Sequence, residues 1–267
     1  MPLTNLIVLA LIQGLTEFLP ISSSGHLIIV PNLINWHDQG LVIDVAVHAG
    51  SLLAVIIYLW RDLWSITLAL IDFRNLQQHP DLKLAKLIII ASIPVIIMGL
   101  IISLISDNLM RSVEIIGWTT LVFGILLGIS DKIGLSVSDL RHMGIGDAVL
   151  IGMSQMLALI PGSSRAGLTI TMARFLGYDR KAAARFSLLL AIPAILGAST
   201  LKGIEVVQAN NLILGIDVLI AGSVSFLAAL ASISIMMAWL DRAGFMPFVI
   251  YRIILGAALL TWFYALS

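Results

Sequence analysis

The sequence predicts an all-α polytopic membrane protein with about six transmembrane helices and two re-entrant helix–break–helix pairs, arranged as an inverted-topology repeat. Three observations lead to this prediction. The chain of 267 residues is 60% hydrophobic and 11% charged, with a mean hydropathy of +1.07, whereas soluble domains are about half apolar and a quarter charged. Two apolar segments are interrupted by similar polar motifs. Cationic residues alternate between successive loops.

Six apolar stretches approach or exceed the ~20 residues that span a bilayer core. They cover residues 43–60, 87–105, 114–130, 186–200, 213–239 and 246–266. Helices are predicted because lipid cannot hydrogen-bond to open backbone groups, and long apolar runs do not suit the short alternating strands of a membrane barrel. Because apolar residues continue from end to end, we predict a single integral-membrane domain over residues 1–267.

Residues 3–35 and 145–177 are apolar but interrupted near the middle, so each half is too short to cross a bilayer alone. Loop charges decide between a kinked span and a re-entrant pair. Three connections are rich in lysine and arginine: 61–86, 131–142 and 180–185. Two others hold one cation each: 106–113 and 201–212. The positive-inside rule places the first three in the cytoplasm. The loops alternate correctly between the two sides of the membrane only if each broken segment enters and leaves on the same side. The chain then begins outside.

The two interruptions resemble each other. EFLPISSSG, which begins at Glu17, aligns with ALIPGSSRA, which begins at Ala158. The alignment matches the two prolines and pairs Ser22 with Ser163. Three spans follow each copy, and an odd number of spans inverts the second copy, so the predicted repeats cover about 1–130 and 143–267. Broken helices in an inverted repeat point to a site near the membrane midplane, where the breaks meet.

The polar residues of the breaks predict an anion site. Gln13 and Glu17 stand four apart and share one face of a half-helix. Serines cap the following half-helices, whose free N–H groups bind anions. Arg165 adds a bidentate fork for phosphate, and an acidic residue beside phosphate indicates a bridging divalent cation. The residues predicted to contact phosphate are Ser22, Ser24, Gly162, Ser163, Ser164 and Arg165.

Other features limit the function. A net charge of zero gives no reason to expect nucleic acid as a partner. The absence of cysteine excludes thiol catalysis and thiolate metal sites. Asp44 and His48 stand four apart at the outer start of the first span, where they either line the mouth of the cavity or occupy the membrane interface.

These motifs resemble the integral-membrane undecaprenyl-diphosphatases of bacteria, the bacitracin-resistance type. The resemblance covers nearly the whole chain and includes Gln13-Gly-Leu-Thr-Glu17, LPISSSGH, PGSSRAGLT, FSLLLAIP and FMPFVIYR. It implies hydrolysis of undecaprenyl diphosphate to the monophosphate and inorganic phosphate, which recycles the lipid carrier of peptidoglycan synthesis in the bacterial cytoplasmic (inner) membrane. The family pattern often has serine after the arginine, where this chain has Ala166, so a hydroxyl contact from that position is not expected.

The resemblance also implies roles for individual residues. It implies a divalent cation, Mg²⁺ or Ca²⁺, near Glu17, with Gln13 as the partner residue of the family motif. Ser23 and His26 would act on phosphorus, and Arg165 would bind phosphate. Thr169 closes the second motif and is a further candidate.

Several alternatives stay open at the level of sequence. Ser23 is the nucleophile with His26 as its base, or His26 attacks phosphorus itself or activates a water; we favour the two residues acting together. A transporter or flippase of an anionic polyprenyl-phosphate lipid is the alternative function, because its architecture is the same. The expected partners are a polyprenyl diphosphate and membrane lipids. The oligomeric state is not determined, and a homodimer is compatible with the sequence. The cavity is expected to open outward.

Overall fold

A computed structural model describes residues 2–33, 36, 40–71, 80–105, 112–134, 138–208 and 215–266. Within these ranges the chain forms α-helices joined by short turns, and no strand longer than an isolated bridge between Ser138 and Tyr178 occurs there. The helices are α1 Leu3–Thr16, α2 Ser23–Leu33, α3 Leu41–Tyr58, α4 Trp60–Ile71, α5 Pro80–Ile105, α6 Val113–Ile133, α7 Ile145–Met156, α8 Arg165–Phe175, α9 Arg180–Gln208, α10 Ile216–Trp239 and α11 Met246–Leu266.

Six of these helices are long and apolar enough to cross a membrane: α3, α5, α6, α9, α10 and α11. They correspond to the six predicted spans, so the prediction of an all-α polytopic membrane protein is confirmed. Two of them begin about six residues earlier than predicted, α5 at Pro80 and α9 at Arg180. Their charged first turns do not look apolar, but proline at a helix start and polar residues in a first turn are common.

Helix α4 was not predicted, because its residues were assigned to the 61–86 connection. It follows α3 after a break at Leu59 and leaves large apolar side chains exposed, among them Trp60, Trp64 and Leu68. A short helix with exposed tryptophans at the end of a span is typical of a segment that lies in the membrane interface. Its first turn is tied to the rest of the bundle, because Asp62 pairs with Arg185 of α9.

Ion pairs connect the ends of several helices at one end of the bundle. Asp131 at the end of α6 is buried and accepts from Arg180 Nε of α9 at 2.6 Å. The buried guanidinium of Arg174, at the end of α8, donates to the carbonyl of Gly134 at 2.8 Å. Lys181 pairs with Asp241 just beyond α10. The ends of α3, α6, α8 and α10 and the start of α9 therefore share this end.

The second broken segment re-enters, as predicted. Tyr178, which follows α8, donates a hydrogen bond of 2.6 Å to Asp147 in the first turn of α7. Burial, reinforced by this hydrogen bond, raises the pKa of Tyr178 and keeps the phenol protonated as a donor. Helix α7 thus begins where α8 ends, and the pair between them enters and leaves the bundle at the same end.

The first broken segment re-enters from the opposite end. Leu6 near the start of α1 packs with Ala221 near the start of α10. Ile29 of α2 packs with Ile116 near the start of α6 and with Leu259 in the second half of α11. Since α6 and α10 begin away from the ion-paired end, α1 starts and α2 finishes at the other end.

The packing of the two halves shows an inverted repeat. Helix α1 lies along α10, and its counterpart α7 lies along α5. Both contacts need glycine, because a Cβ on Gly14 or Gly152 would lie 2.4 Å from a backbone oxygen of the facing helix. The corresponding spans α3 and α9 pack on each other, and so do α6 and α11. A two-fold relation in the membrane plane produces this exchange of partners. The exact repeat boundaries, about 1–130 and 143–267, stay a prediction.

Candidate active site

The two breaks have the same local structure. Ser22 precedes α2 and Ser164 precedes α8, and both have a positive φ, 73° and 71°. Each serine Oγ accepts from the backbone N–H three residues later, at 3.4 Å from Gly25 and at 3.1 Å from Gly167. This is helix N-capping, in a backbone conformation that non-glycine residues seldom adopt.

This equivalence corrects the predicted alignment by one residue. Matching the prolines paired Ser22 with Ser163, but the structure pairs Ser22 with Ser164. The second break has one more residue between proline and cap, and Gly162 accommodates it with a φ of 88°. Consequently Ser23 and Arg165 occupy the same first position of their half-helices.

Both first positions converge on one carboxylate. Glu17 Oε2 accepts from Ser23 Oγ at 2.7 Å and from Gln13 Nε2 at 2.9 Å, and Glu17 Oε1 lies 3.6 Å from Arg165 Nη2. Arg165 Nη1 donates to the carbonyl of Ser187 on α9 at 3.2 Å. Within the described residues, Arg165 Nη2 is a buried donor with no hydrogen-bond acceptor. The arginine is therefore held in place with one donor left for a ligand.

A cavity of about 200 Å³ opens onto this junction. It is smaller than the roughly 300–1,000 Å³ of pockets that enclose whole ligands, which suits a head group rather than a whole lipid. Its lining combines two kinds of residue. The polar ones are Glu17, Ser22, Ser23, Ser24, His48, Ser164 and Arg165, and the apolar ones are Val95, Ala158, Leu159, Ala194, Ile195 and Ala198.

His26 lies beside the cluster of Glu17, Ser23 and Arg165 and is not part of it. Its Nδ1 is 2.6 Å from the carbonyl oxygen of Ser22, and its Nε2 is 2.5 Å from the hydroxyl of Tyr251 on α11. The two rings stack with their centroids 5.7 Å apart. Among the described residues, the cavity lining does not include His26. The hydroxyl of Ser23 donates a hydrogen bond to Glu17 and not to His26. Tyr251 was not among the site residues predicted from the sequence, although it lies in the FMPFVIYR segment that resembles the family.

The remaining candidates divide between the cavity and its support. His48 lines the cavity, whereas Asp44 lies 3.8 Å from Lys202. Ser163 Oγ is turned to the carbonyl of Ile160 at 2.6 Å. Thr169 Oγ1 donates to the hydroxyl of Ser187, at 2.8 Å, next to the carbonyl that holds Arg165. Of the described part of the chain, Gly162, Ser163, Thr169 and Asp44 do not line the cavity. The predicted contacts of Gly162 and Ser163 with phosphate, and the candidate roles of Thr169 and Asp44, stay predictions.

Comparison with known proteins assigns the family. The sequence matches the family described as Bacitracin resistance protein BacA over residues 6–258. This chain belongs to the BacA family. A protein of Jannaschia sp. (strain CCS1) named undecaprenyl-diphosphatase is 50% identical over 99% of this chain and 100% of its own. Undecaprenyl-diphosphatase 1 of Rhodospirillum rubrum is 45% identical over 99% of this chain and 96% of its own. The undecaprenyl-diphosphatase of Roseobacter denitrificans is 46% identical over 99% and 100%.

The donor set of this BacA-family site suits a cation that is shared with a phosphorylated ligand. No group of three or more histidine, aspartate or glutamate side chains forms within the described residues, so an all-protein cage is not present there. Glu17 offers a carboxylate, and the buried Gln13 Oε1 has no partner within that part of the chain. Mg²⁺ commonly binds one or two carboxylates together with substrate phosphates. Glu17 and Gln13 fit that pattern.

The same BacA-family site can hold an anion and activate a hydroxyl. The first N–H groups of α2 and α8 and the free donor of Arg165 supply positive charge for phosphate oxygens. Ser23 Oγ, which donates to the Glu17 carboxylate at 2.7 Å, is a hydroxyl with a proton acceptor already in contact. The base in contact with Ser23 is thus Glu17, whereas the sequence suggested His26.

Proposed function

We propose that this protein is a membrane enzyme that hydrolyses undecaprenyl diphosphate to undecaprenyl phosphate and inorganic phosphate. Its membership of the BacA family and the names of its relatives support this function. The single observation in the structure that supports it most is the convergence of Ser23 and Arg165, one from each half, on the carboxylate of Glu17. The cavity lining includes both charged and apolar residues, which suits a substrate with a charged head and an apolar tail.

The geometry supports the following reaction. Arg165 and the two helix N-termini hold the terminal phosphoryl group, since phosphoryl transfer depends mainly on positioning and on charge stabilisation. Ser23 Oγ attacks the terminal phosphorus and passes its proton to Glu17. The bond between that phosphorus and the bridging oxygen breaks, and undecaprenyl phosphate leaves. Water then attacks the phosphoserine, releases inorganic phosphate and restores the serine.

His26 offers a second route, in which it activates water or attacks phosphorus directly. It lies one helical turn beyond Ser23 and is held by Tyr251. Glu17 and Gln13 would hold a divalent cation, Mg²⁺ or Ca²⁺, whose charge would neutralise the phosphoryl oxygens. The alternative of a flippase without bond cleavage is less well supported, because transport does not require a serine hydroxyl bonded to a carboxylate.

We further propose that the protein lies in the bacterial cytoplasmic (inner) membrane with its N-terminus outside and its cavity open outward. The ion-paired end of the bundle carries Arg174, Arg180, Lys181 and Arg185, and the positive-inside rule supports a cytoplasmic location for it. The first half-helix pair enters from the other end. A homodimer, with which the sequence is compatible, stays a prediction.

The decisive experiment is phosphate release from undecaprenyl diphosphate by the purified protein in detergent, with and without EDTA. We expect metal-dependent release by the wild type. Arg165→Ala should lower turnover by about 10²–10³-fold, the loss typical when one donor to a developing charge is removed. Arg141→Ala is the control, because Arg141 is exposed and lies outside the cavity.

Two outcomes would contradict these statements separately. Wild-type protein that binds the lipid but releases no phosphate would contradict hydrolysis. If that protein moved a fluorescent polyprenyl diphosphate across vesicle bilayers, the flippase alternative would replace it. Normal turnover by Arg165→Ala would leave the reaction intact and overturn the assigned site.

A further inference from the structure

A second buried arginine lies behind both breaks. Arg252 of α11 is fully buried and donates to five backbone carbonyls. Three of these belong to the breaks: Ser163 at 2.8 Å, Gly162 at 3.1 Å and Pro20 at 3.3 Å. The other two, Thr120 at 3.2 Å and Thr119 at 3.4 Å, belong to α6. A single guanidinium thus contacts both halves of the inverted repeat.

Two glycines on neighbouring helices leave room for the side chain of Arg252. A Cβ on Gly124 of α6 would lie 2.7 Å from Arg252 Cβ, and a Cβ on Gly167 of α8 would lie 2.6 Å from its Nη1. Thr119 Oγ1 is 2.7 Å from the carbonyl of Pro161, and Thr120 Oγ1 is 3.2 Å from that of Gly162. Helices α6 and α11 together therefore provide donors for the carbonyls of Pro161, Gly162 and Ser163 in the second break.

The charge of Arg252 distinguishes it from Arg174, which is also fully buried. Arg174 lies 3.6 Å from the carboxylate of Asp131. Arg252 has no aspartate or glutamate partner among the described residues, and its hydrogen-bond acceptors there are backbone carbonyls. A charge buried at membrane depth is costly and marks function more often than architecture. Arg252 adds positive charge at the carbonyl of Ser163, next to Ser164 and Arg165, which line the cavity.

We propose that Arg252 is a positioning residue, which sets the separation of the α2 and α8 N-termini so that one phosphate group fits between them. The inference rests on the proposed function, because it assigns Arg252 a part in holding the diphosphate. A trans peptide bond points its N–H opposite to its C=O. Holding the carbonyl of Ser163 toward Arg252 therefore turns the N–H of Ser164 away from it. The guanidinium orients the anion-binding groups from behind without contacting substrate.

Arg252→Lys tests this assignment, because lysine keeps the charge but cannot reach five carbonyls with one compact ammonium. We expect turnover per folded molecule to fall about 100-fold, the loss that a 1 Å displacement of a catalytic group produces. Arg174→Lys is the matched control, since Arg174 is equally buried and also binds carbonyls. The control should lower thermal stability and retain the wild-type turnover per folded molecule.

A distance measurement separates positioning from general destabilisation. The chain has no cysteine, so spin labels can be attached at Leu27→Cys on α2 and Phe175→Cys on α8. Leu27 is partly exposed, Phe175 is exposed, and neither lines the cavity. Double electron–electron resonance should show a shifted or broadened distribution in Arg252→Lys compared with the labelled wild type. An unchanged distribution, or wild-type turnover in Arg252→Lys, would overturn the proposal.

Two precautions keep the result interpretable. If Arg252→Lys does not fold, Thr119→Val removes a hydroxyl donor to the same break and should lower turnover about tenfold; wild-type turnover of that variant would then overturn the proposal. The spin-label distances do not depend on activity. A wild type without phosphatase activity would overturn the proposed function, while the distances would still decide whether Arg252 sets the separation of the two breaks.

Discussion

Replacing Glu17 by glutamine would show whether the carboxylate couples a cation to phosphate binding. Glu17 Oε1 lies 3.6 Å from Arg165 Nη2. At an effective dielectric constant of about 20, this separation corresponds to an attraction of roughly 4–5 kcal/mol. The attraction competes with phosphate for the guanidinium. A cation at Glu17 would cancel it, and glutamine, which has nearly the same size, would remove it permanently.

Only part of this energy will appear in a binding constant, because desolvation of the pair offsets much of the attraction. A residual of about 1–2 kcal/mol corresponds to a factor of roughly 5–30. We therefore expect EDTA to weaken the binding of inorganic pyrophosphate to the wild type by about tenfold. Binding to Glu17→Gln should not respond to EDTA. Its turnover should fall by about 10³-fold, because Ser23 loses its proton acceptor and the cation loses its carboxylate.

Isothermal titration of the detergent-solubilised protein with pyrophosphate, before and after EDTA treatment, measures the binding part, and phosphate release measures turnover. Glu114→Gln is the matched control, since Glu114 accepts a hydrogen bond from Tyr264 at an exposed position of α6 and α11. The role assigned to Glu17 is refuted if Glu17→Gln still loses affinity for pyrophosphate with EDTA, or if its turnover stays within tenfold of the wild type.

Two further predictions concern the residues that support the site. Tyr251→Phe removes the hydroxyl that holds His26 Nε2, so kcat should fall about tenfold with KM unchanged, as steady-state kinetics would show. Gly162→Ala should abolish activity and lower the melting temperature by several degrees, measured by thermal unfolding in detergent, because the new Cβ would lie 2.3 Å from Thr119 Oγ1 at a φ of 88°.

Each of these variants has a control in the same chain. Tyr264→Phe removes a hydroxyl at the other end of α11 and should leave kcat unchanged. A normal kcat in Tyr251→Phe would show that the histidine does not depend on the hydroxyl of Tyr251. Gly146→Ala places a Cβ in open space and should leave activity unchanged. An active Gly162→Ala would mean that the second break can be rebuilt without its positive φ.

The positions and number of the spans could be predicted from the sequence because lipid imposes a length and a polarity on each segment. Loop charge was sufficient to predict that both broken segments re-enter. Helix α4 escaped prediction because an interfacial helix needs only one apolar face, and its mixture of tryptophans and charges resembles a loop. The repeat could be recognised, but the predicted alignment of its two copies was wrong by one residue. Aligning the prolines left no place for the extra residue that Gly162 accommodates.

The sequence by itself predicted most of the polar residues that line the cavity, because motifs as short as LPISSSGH and PGSSRAGLT combine helix breakers, caps and charges in a local order. It did not point to Tyr251 or Arg252. Only the tertiary structure decided how those groups pair. Ser23 is hydrogen-bonded to Glu17, while His26 is hydrogen-bonded to Tyr251, which lies 225 residues away along the chain. Arg252 joins breaks that lie 232 and 89 residues before it. Such contacts depend on how helices pack across the bundle, and local spacing carries no information about that packing.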